Sequence, residues 1–133
     1  MEVITQTQIP ETKRLAFLPA KLGADCAAFE SLVFNFMGQY AQGYSGGYWH
    51  FYTLSNGGLY IALDSVERFK VCNPMNYFEK EMSAQAASIS VCLYALNALA
   101  WKRQSASIID AYYHLRDFAA EHEEAAQIMA FID

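Results

Sequence analysis

The sequence predicts an α+β domain, in which an N-terminal helix and two to three C-terminal helices pack with a small antiparallel sheet. Three observations support this fold class. Apolar residues recur at helical spacing after Asp25, an aromatic segment with an Asn-Gly turn follows, and the pattern becomes helical again from Ser83 onwards. The whole of 1–133 is expected to be one domain, because no Pro-, Gly- or Ser-rich linker divides it.

Residues 1–23 are predicted to form an N-terminal arm. The segment is polar up to Pro10, without the basic and then apolar order of a signal peptide, and holds only a short apolar patch before Pro19. The first helix is expected to begin at Asp25, a favourable N-cap residue. Its apolar face has helical spacing and comprises Phe29, Leu32, Val33, Phe36, Met37 and Tyr40.

The strand region begins with the aromatic residues 48–54, which are bounded by glycine. Asn56-Gly57 is a strong hairpin signal, because glycine supplies the positive φ of a tight turn, and residues 59–63 are expected to return as the partner strand. Residues 68–72 alternate polar and apolar side chains, which predicts a half-exposed third strand of the same small sheet. A short extended piece around Tyr77-Phe78 is an open alternative.

The C-terminal half is predicted to be helical. Ser83 can cap a helix that runs to about Arg103, a second helix opens at Ser105 or Ser107, and a last piece covers residues 123–131. The apolar stretch 84–101 is interrupted by polar residues and is therefore expected to be a buried helix instead of a membrane span. Those interruptions are Gln85, Ser88, Ser90 and Asn97.

Composition narrows the class of function. Nine basic and fourteen acidic residues give a net charge of −5, which disfavours binding to nucleic-acid phosphates. The three cysteines are an odd number without a CxxC pair, so a reducing, cytoplasmic environment is expected. His114 and His122 are eight residues apart, too far for a helical zinc pair, and no metal or other cofactor is expected.

The segment Gly47-Tyr48-Trp49-His50-Phe51-Tyr52, followed by Leu54-Ser55-Asn56-Gly57-Gly58, resembles the hallmark of the ArdB/KlcA family of antirestriction proteins. Two flanking segments are also similar to that family. They are Arg14-Leu15-Ala16-Phe17-Leu18-Pro19 and His114-Leu115-Arg116-Asp117-Phe118-Ala119 with His122. The sequence departs from the family pattern at Leu59, where an aromatic residue is expected, and at Glu123, where a proline is usual.

The resemblance implies a protein of plasmids or other mobile elements that relieves type I restriction-modification of incoming unmodified DNA. It implies an inhibitor that acts by binding and has no cofactor and no catalytic residue. The expected partner is the type I restriction-modification complex or a host factor coupled to it, with no direct nucleic-acid or membrane contact. The oligomeric state is left open.

Strand alternation divides the hallmark into two faces. Trp49 and Phe51 are expected in the core, and with Gly47, Gly57 and Gly58 they form the structural part of the hallmark. Tyr48, His50 and Tyr52 share the other face, which is a candidate partner surface because interfaces favour such residues. Tyr44 and Asn56 are further candidates for that surface, with Tyr60 nearby. Alternatively, the N-terminal arm or a later helix covers this face.

Four other hypotheses concern the polar residues. A Cys72-His50 couple is geometrically possible if their strands pair, and would suggest a small hydrolase. The acidic residues near the C-terminus could imitate DNA, although they are too few to match many phosphates. They could instead form a solvated face or dock on a basic partner; this acidic cluster comprises Asp117, Glu121, Glu123 and Glu124.

Overall fold

The computed structural model describes residues 3–133, which form five α-helices and five strands within that range. In chain order these elements are β1 (Gln6–Gln8), α1 (Arg14–Leu22), α2 (Cys26–Tyr40), β2 (Trp49–Leu54), β3 (Leu59–Leu63), β4 (Arg68–Asn73), β5 (Phe78–Ser83), α3 (Ala84–Arg103), α4 (Ala106–Ala120) and α5 (Ala125–Ile132). The strands form two antiparallel sheets, of order β1-β2-β3 and β4-β5. The α+β class predicted from the sequence is confirmed.

The N-terminal arm predicted for residues 1–23 is wrong as far as the structure describes it, because this segment is folded into the domain; residues 1 and 2 lie outside the described part. Gln6–Gln8 pairs with β2, and Arg14–Leu22 is a helix that buries Leu18 and Leu22. The short apolar patch thus lies within α1, where Leu15 is exposed and Leu18 is buried. Burial of Leu18 and Leu22 outweighs the hydrogen bond lost at Pro19 inside the helix.

The predicted third strand exists, but its predicted partner is wrong. β4 pairs with β5 in a separate hairpin, and the third strand of the β2-β3 sheet is β1. The outer edge of β3 is occupied by α3: the Leu63 amide donates to Ser88 Oγ (3.0 Å), and the Cys92 thiol donates to the Ile61 carbonyl (3.3 Å). Because a helix satisfies this edge, β4 pairs elsewhere, and the open alternative around Tyr77-Phe78 becomes the start of β5.

Helix α3 is the central element of the core and packs against α2, α4, α5 and β3. Its predicted limits are confirmed: Ser83 Oγ accepts a hydrogen bond from the Ala86 amide (3.1 Å), and the helix ends at Arg103, before a left-handed Gln104. By length and composition α3 could cross a membrane, but 67% of its most apolar window is buried inside the protein. It is a core helix, as the sequence predicted.

The second sheet is joined to the helices by an aromatic cluster around Phe131. The ring of this α5 residue lies 5.7 Å from Phe78 of β5, 5.3 Å from Tyr40 of α2 and 4.7 Å from Tyr94 of α3, measured between centroids. Such offset and edge-on pairs add to the stabilisation from buried area. The last helix therefore fastens the β4-β5 hairpin to the core.

The β3 edge provides a first testable prediction. Ser88→Ala removes the acceptor for the buried Leu63 amide, and an unsatisfied buried donor should lower the free energy of unfolding by about 2 kcal/mol. Ser90→Ala is the matched control, because Ser90 is equally buried but its hydroxyl only donates to a carbonyl of its own helix. Urea unfolding should show a smaller loss for the control, because removal of the Ser90 hydroxyl leaves no buried amide without an acceptor. Equal losses in the two variants would contradict this account of the edge.

Candidate functional site

Tyr48, His50 and Tyr52 form a line of rings on one face of β2 and the residue before it, which we call the aromatic row. The centroid distances are 5.2 Å from Tyr48 to His50 and 6.5 Å from His50 to Tyr52. The Tyr48 end is open, with 48% of the residue exposed. On the opposite face Trp49 and Phe51 are buried, as strand alternation predicted.

The Tyr52 end of the aromatic row continues into the core. Tyr52 stacks on Tyr60 at 4.8 Å, and Tyr60 stacks on Phe118 of α4 at 5.7 Å. Tyr60 is fully buried, and burial raises the pKa of its hydroxyl, which donates to Gln6 and accepts from Gln85 Nε2 (3.0 Å). The face is therefore covered in part: Phe118 of α4 covers the Tyr60 ring beside the Tyr52 end, and about half of Tyr48 faces solvent.

His50 is held at the middle of the row by hydrogen bonds at both ring nitrogens. Gln8 Nε2 donates to Nδ1 (3.1 Å), and Nε2 faces Asp64 Oδ2 at 3.2 Å. These contacts assign the Nε2–H tautomer to the neutral ring. With both nitrogens occupied, the imidazole is a positioned, half-buried polar ring on the surface of the sheet.

Arg14, which belongs to one of the two segments that flank the hallmark, also contacts the aromatic row. Its guanidinium lies 4.6 Å from the Tyr48 ring centroid and 4.3 Å from that of Phe51, and it donates to the Tyr48 hydroxyl and the Trp49 carbonyl. This cation–π contact fixes the exposed Tyr48 ring against α1. An arginine beside the short apolar patch at residues 15–18 was the only sequence signal, and it did not indicate which rings it would contact.

Tyr44 and Asn56 do not extend the aromatic row, which corrects their predicted placement. Tyr44 packs edge-on against Trp49, on the core side of the strand, and accepts a hydrogen bond from the Trp49 indole (3.2 Å). Asn56 lies in the β2-β3 turn, where it accepts from the Gly58 amide (3.0 Å) and donates to the His114 carbonyl of α4 (2.9 Å). Both side chains hold structure together at these positions.

The hallmark glycines have structural roles. Gly57 has φ +94°, which confirms the predicted positive φ of the turn. At Gly58 a Cβ atom would lie 2.7 Å from His114 Cβ, and at Gly47, with φ +150°, it would lie 2.8 Å from Leu63 Cδ1. Glycine is therefore needed at position 58 of the hallmark turn, because helix α4 packs directly on it.

The acidic cluster is divided by the structure. Asp117, Glu121 and Glu123 are exposed, and Glu121 accepts a hydrogen bond from the Ile4 amide (3.2 Å). Glu124 is only 9% exposed and accepts from the Ser83 amide (3.0 Å) and hydroxyl. Burial alone would raise its pKa, but the Ser83 hydrogen bonds and Arg68, 3.5 Å away, lower it. Glu124 is therefore an internal contact and not an exposed docking residue.

The strand pairing on which a Cys72-His50 couple depended is not formed, since the two residues lie in different sheets. Cys72 Sγ instead contacts Gln42 and Glu79, each at 3.6 Å. Burial and the neighbouring Glu79 raise the pKa of its thiol. Within residues 3–133, no group of three or more His, Cys, Asp or Glu side chains is placed to hold a metal ion.

The architecture defines the class of protein. Two small antiparallel sheets pack with the central helix α3, and the glycine-rich turn of the β2-β3 hairpin packs on α4. Residues 42–133 match the family model described as antirestriction protein. The chain belongs to the antirestriction protein family, as the hallmark indicated. It is similar to two antirestriction KlcA proteins of Escherichia coli, at 44% identity over 98% of this chain and 94% of the relative, and at 41% over 98% and 95%.

A solved structure matches the full chain with a TM-score of 0.91 and 39% identity, over 100% of this chain and 99% of the other. The matched structure is one of the KlcA and ArdB proteins, which show a novel fold and antirestriction activity against type I DNA restriction systems in vivo but not in vitro. The sequence departures at Leu59 and Glu123 therefore leave the fold of this chain unchanged in outline.

A second prediction concerns the contact between the hallmark turn and α4. Gly58→Ala should lower the free energy of unfolding by about 2 kcal/mol, because the added methyl overlaps His114. The control is Gly38→Ala in helix α2, where a Cβ meets nothing within 4 Å and should stabilise the protein by about 0.5 to 1 kcal/mol. Thermal unfolding followed by circular dichroism measures both. Similar melting temperatures for the two variants would contradict the close approach.

A third prediction uses the lowered pKa of Glu124. A carboxyl whose pKa is lower in the folded state stabilises the protein above its unfolded-state pKa, and the stabilisation is lost as pH falls through the folded-state value. Glu124→Gln should therefore cost about 2 kcal/mol at pH 7 and less at acidic pH. Urea unfolding at several pH values from 7 down to about 3 tests this. A deficit that stays constant with pH would show that the charge of Glu124 does not matter.

Proposed function

We propose that this chain is a cytoplasmic antirestriction protein that relieves type I restriction-modification of incoming unmodified DNA by binding, without catalysis. The observation that carries the proposal is the full-length structural likeness to the KlcA and ArdB proteins, at 39% identity and a TM-score of 0.91. A likeness at this level extends over the hallmark hairpin and the helices that support it, so a shared mode of action is the simplest inference.

A binding mechanism is supported by the chemistry of the titratable groups. A nucleophilic cysteine needs a lowered pKa and an adjacent base. The Cys72 pKa is raised by burial and Glu79, and burial raises the pKa of the Cys92 thiol to about 12. His50 is engaged by Gln8 and Asp64. The raised thiol pKa values and the occupied His50 ring favour inhibition by binding over a small cysteine- or histidine-dependent hydrolase.

The open end of the aromatic row is the surface that we assign to the partner. Tyrosine contributes strongly to interfaces, and a ring that is already fixed loses little conformational entropy on binding. Tyr48 meets this condition, because Arg14 holds it from one side and His50 packs edge-on from the other. The exposed Asp117 and Glu121 are secondary candidates, for contact with a basic surface.

The partner is proposed to be the type I complex or a host factor coupled to it. The net charge of −5 supports a protein partner over direct contact with DNA phosphates. The activity described for the KlcA and ArdB proteins occurs in vivo but not in vitro. That difference favours a coupled host factor, since such a factor is present in the cell and missing from a purified restriction assay. A DNA mimic is not favoured, because the burial of Glu124 leaves fewer surface carboxylates.

A fourth prediction tests this function by the plating efficiency of unmodified phage on a type I restricting host. The wild-type protein should relieve restriction, and Tyr48→Ser should reduce relief by about tenfold or more through loss of an interface anchor. Tyr113→Ser is the matched control, since Tyr113 of α4 is similarly exposed, at 54% against 48%, and lies outside the aromatic row. It should retain relief.

Two outcomes would oppose the proposal. Absence of relief by well-expressed wild-type protein would overturn the antirestriction function itself. Loss of relief in a folded His50→Ala/Cys72→Ala double variant, with Tyr48→Ser fully active, would favour the hydrolase over the binding mechanism. Thermal unfolding of every variant separates loss of contact from loss of fold.

A further inference from the structure

The turn of the β4-β5 hairpin carries two large apolar side chains that contact little of the protein. The turn comprises residues 74–77, Pro-Met-Asn-Tyr, which we call the hairpin tip. Met75 is 86% exposed and Tyr77 is 94% exposed. The tip contains no charged residue. An exposed aromatic and thioether pair of this kind has the composition that protein interfaces favour.

The backbone beneath the tip is firmly held. Asn73 is fully buried, accepts from the Met75 amide (3.1 Å) and donates to the Phe131 carbonyl (3.3 Å). Asn76 accepts from the Phe78 amide (3.1 Å) and donates to carbonyls at the end of α5, at 2.9 Å for Phe131. Two asparagines thus anchor a turn whose outward side chains are free. The tip presents its side chains from a prearranged backbone.

Tyr77 occupies a backbone conformation that does not suit tyrosine. Its φ is +60°, in the left-handed region, where glycine and asparagine are the favourable residues. The Tyr77 ring gains almost no burial to compensate, because the side chain points into solvent. The stability of the domain therefore does not explain a tyrosine at this position. Contact of the ring with another molecule would explain it.

We propose that Met75 and Tyr77 form a docking prong that inserts into an apolar pocket on a folded protein partner. This inference rests on the proposed antirestriction function and adds a second contact region to the Tyr48 surface. A prearranged aromatic side chain loses little entropy when it enters a pocket, which is the property of an interface hot spot.

A protein pocket fits the tip better than a lipid surface does. Segments that bind membranes combine apolar residues with lysine or arginine, which anionic headgroups attract. The tip has no basic residue, and the chain carries a net charge of −5. An anionic bilayer would repel the protein as a whole, whereas an uncharged apolar prong requires only a complementary cavity.

The first test exploits the unfavourable conformation of Tyr77. Tyr77→Gly and Tyr77→Asn should raise the melting temperature by about 3 °C, because both residues accept a positive φ. Both should reduce relief of type I restriction by about tenfold or more. Tyr77→Phe, which keeps the ring, should restore most of the relief. Val66→Ser is the control, since Val66 is fully exposed at a different turn and should leave relief unchanged.

This design separates docking from a structural role. A structural role predicts that stability and relief fall together, whereas docking predicts that stability rises as relief falls. Relief that persists in the stabilised Tyr77→Gly and Tyr77→Asn proteins would overturn the prong, and so would a fall in their melting temperature that accounts for the lost relief.

The second test measures docking directly and does not depend on relief of restriction. If the wild-type protein gives no relief, the proposed function is rejected, and this test still decides whether Met75 and Tyr77 contact a partner. A photo-crosslinking phenylalanine derivative, p-benzoylphenylalanine, replaces Tyr77 or, as control, Val66 in restricting cells. The expected result is a crosslink from position 77 alone to a subunit of the type I complex or to a host factor coupled to it, mapped to an apolar surface by mass spectrometry. No crosslink, or the same crosslinks from both positions, would overturn the proposal. Sedimentation with phosphatidylglycerol vesicles that requires Tyr77 would also overturn it, in favour of a membrane contact.

Discussion

The fold depends on how helix α3 closes the open edge of the three-stranded sheet. An edge strand presents backbone amides and carbonyls that must find partners once they are buried. At β3 these partners are side chains of α3, since Ser88 accepts from the Leu63 amide and the Cys92 thiol donates to the Ile61 carbonyl. Burial raises the Cys92 pKa to about 12, so the thiol keeps the proton that it donates. The other edge is β1, a short strand of exposed polar residues that discourages further pairing.

The same helix connects the sheet to the C-terminal turn through a chain of hydrogen bonds. Gln85, near the start of α3, donates to the buried Tyr60 hydroxyl and accepts from His122 Nε2 (3.0 Å). His122 Nδ1 accepts from the Glu124 amide (2.9 Å), and the Glu124 carboxylate returns to Ser83, the residue that caps α3. The N-terminus of α3 is therefore tied at once to β3, to the α4-α5 turn and to β5. Removal of one member takes a hydrogen bond from its neighbours, among them the buried Tyr60 and Glu124.

Local patterns predicted the local elements of this fold. The Ser83 cap and the apolar spacing gave α3 with its observed limits, and Asn56-Gly57 gave the β2-β3 hairpin. Strand partners could not be predicted in the same way. Alternation at residues 68–72 predicts which face of the strand is buried, but it does not predict which strand lies beside it. The strand at Gln6–Gln8 was missed since its side chains are exposed on both faces and leave no apolar signal.

The candidate site shows the same limit. Alternation correctly separated Trp49 and Phe51 from the aromatic row, whereas Tyr44, just before the strand, was assigned to the wrong side. The contact of Arg14 with Tyr48 joins residues 34 positions apart and depends on the packing of α1. The burial of Glu124 has the same kind of cause, since its partner Ser83 is 41 positions away. Contacts of this range follow from tertiary packing, which single-sequence patterns do not encode.

The residues that identify the family and the residues available to a partner are largely different sets. The Trp49 and Phe51 side chains are buried in the core, and Gly58 lies where α4 leaves no room for a Cβ, so these residues serve the fold. Tyr48 and Tyr77 are the opposite case, because both rings face solvent while the structure holds them from below, through Arg14 and through the asparagines of the turn. Preorganisation of exposed rings reduces the entropy lost on binding and has no value to a domain that binds nothing. The physical evidence for a binding surface is therefore strongest at exposed side chains whose presence is not required by the packing of the domain.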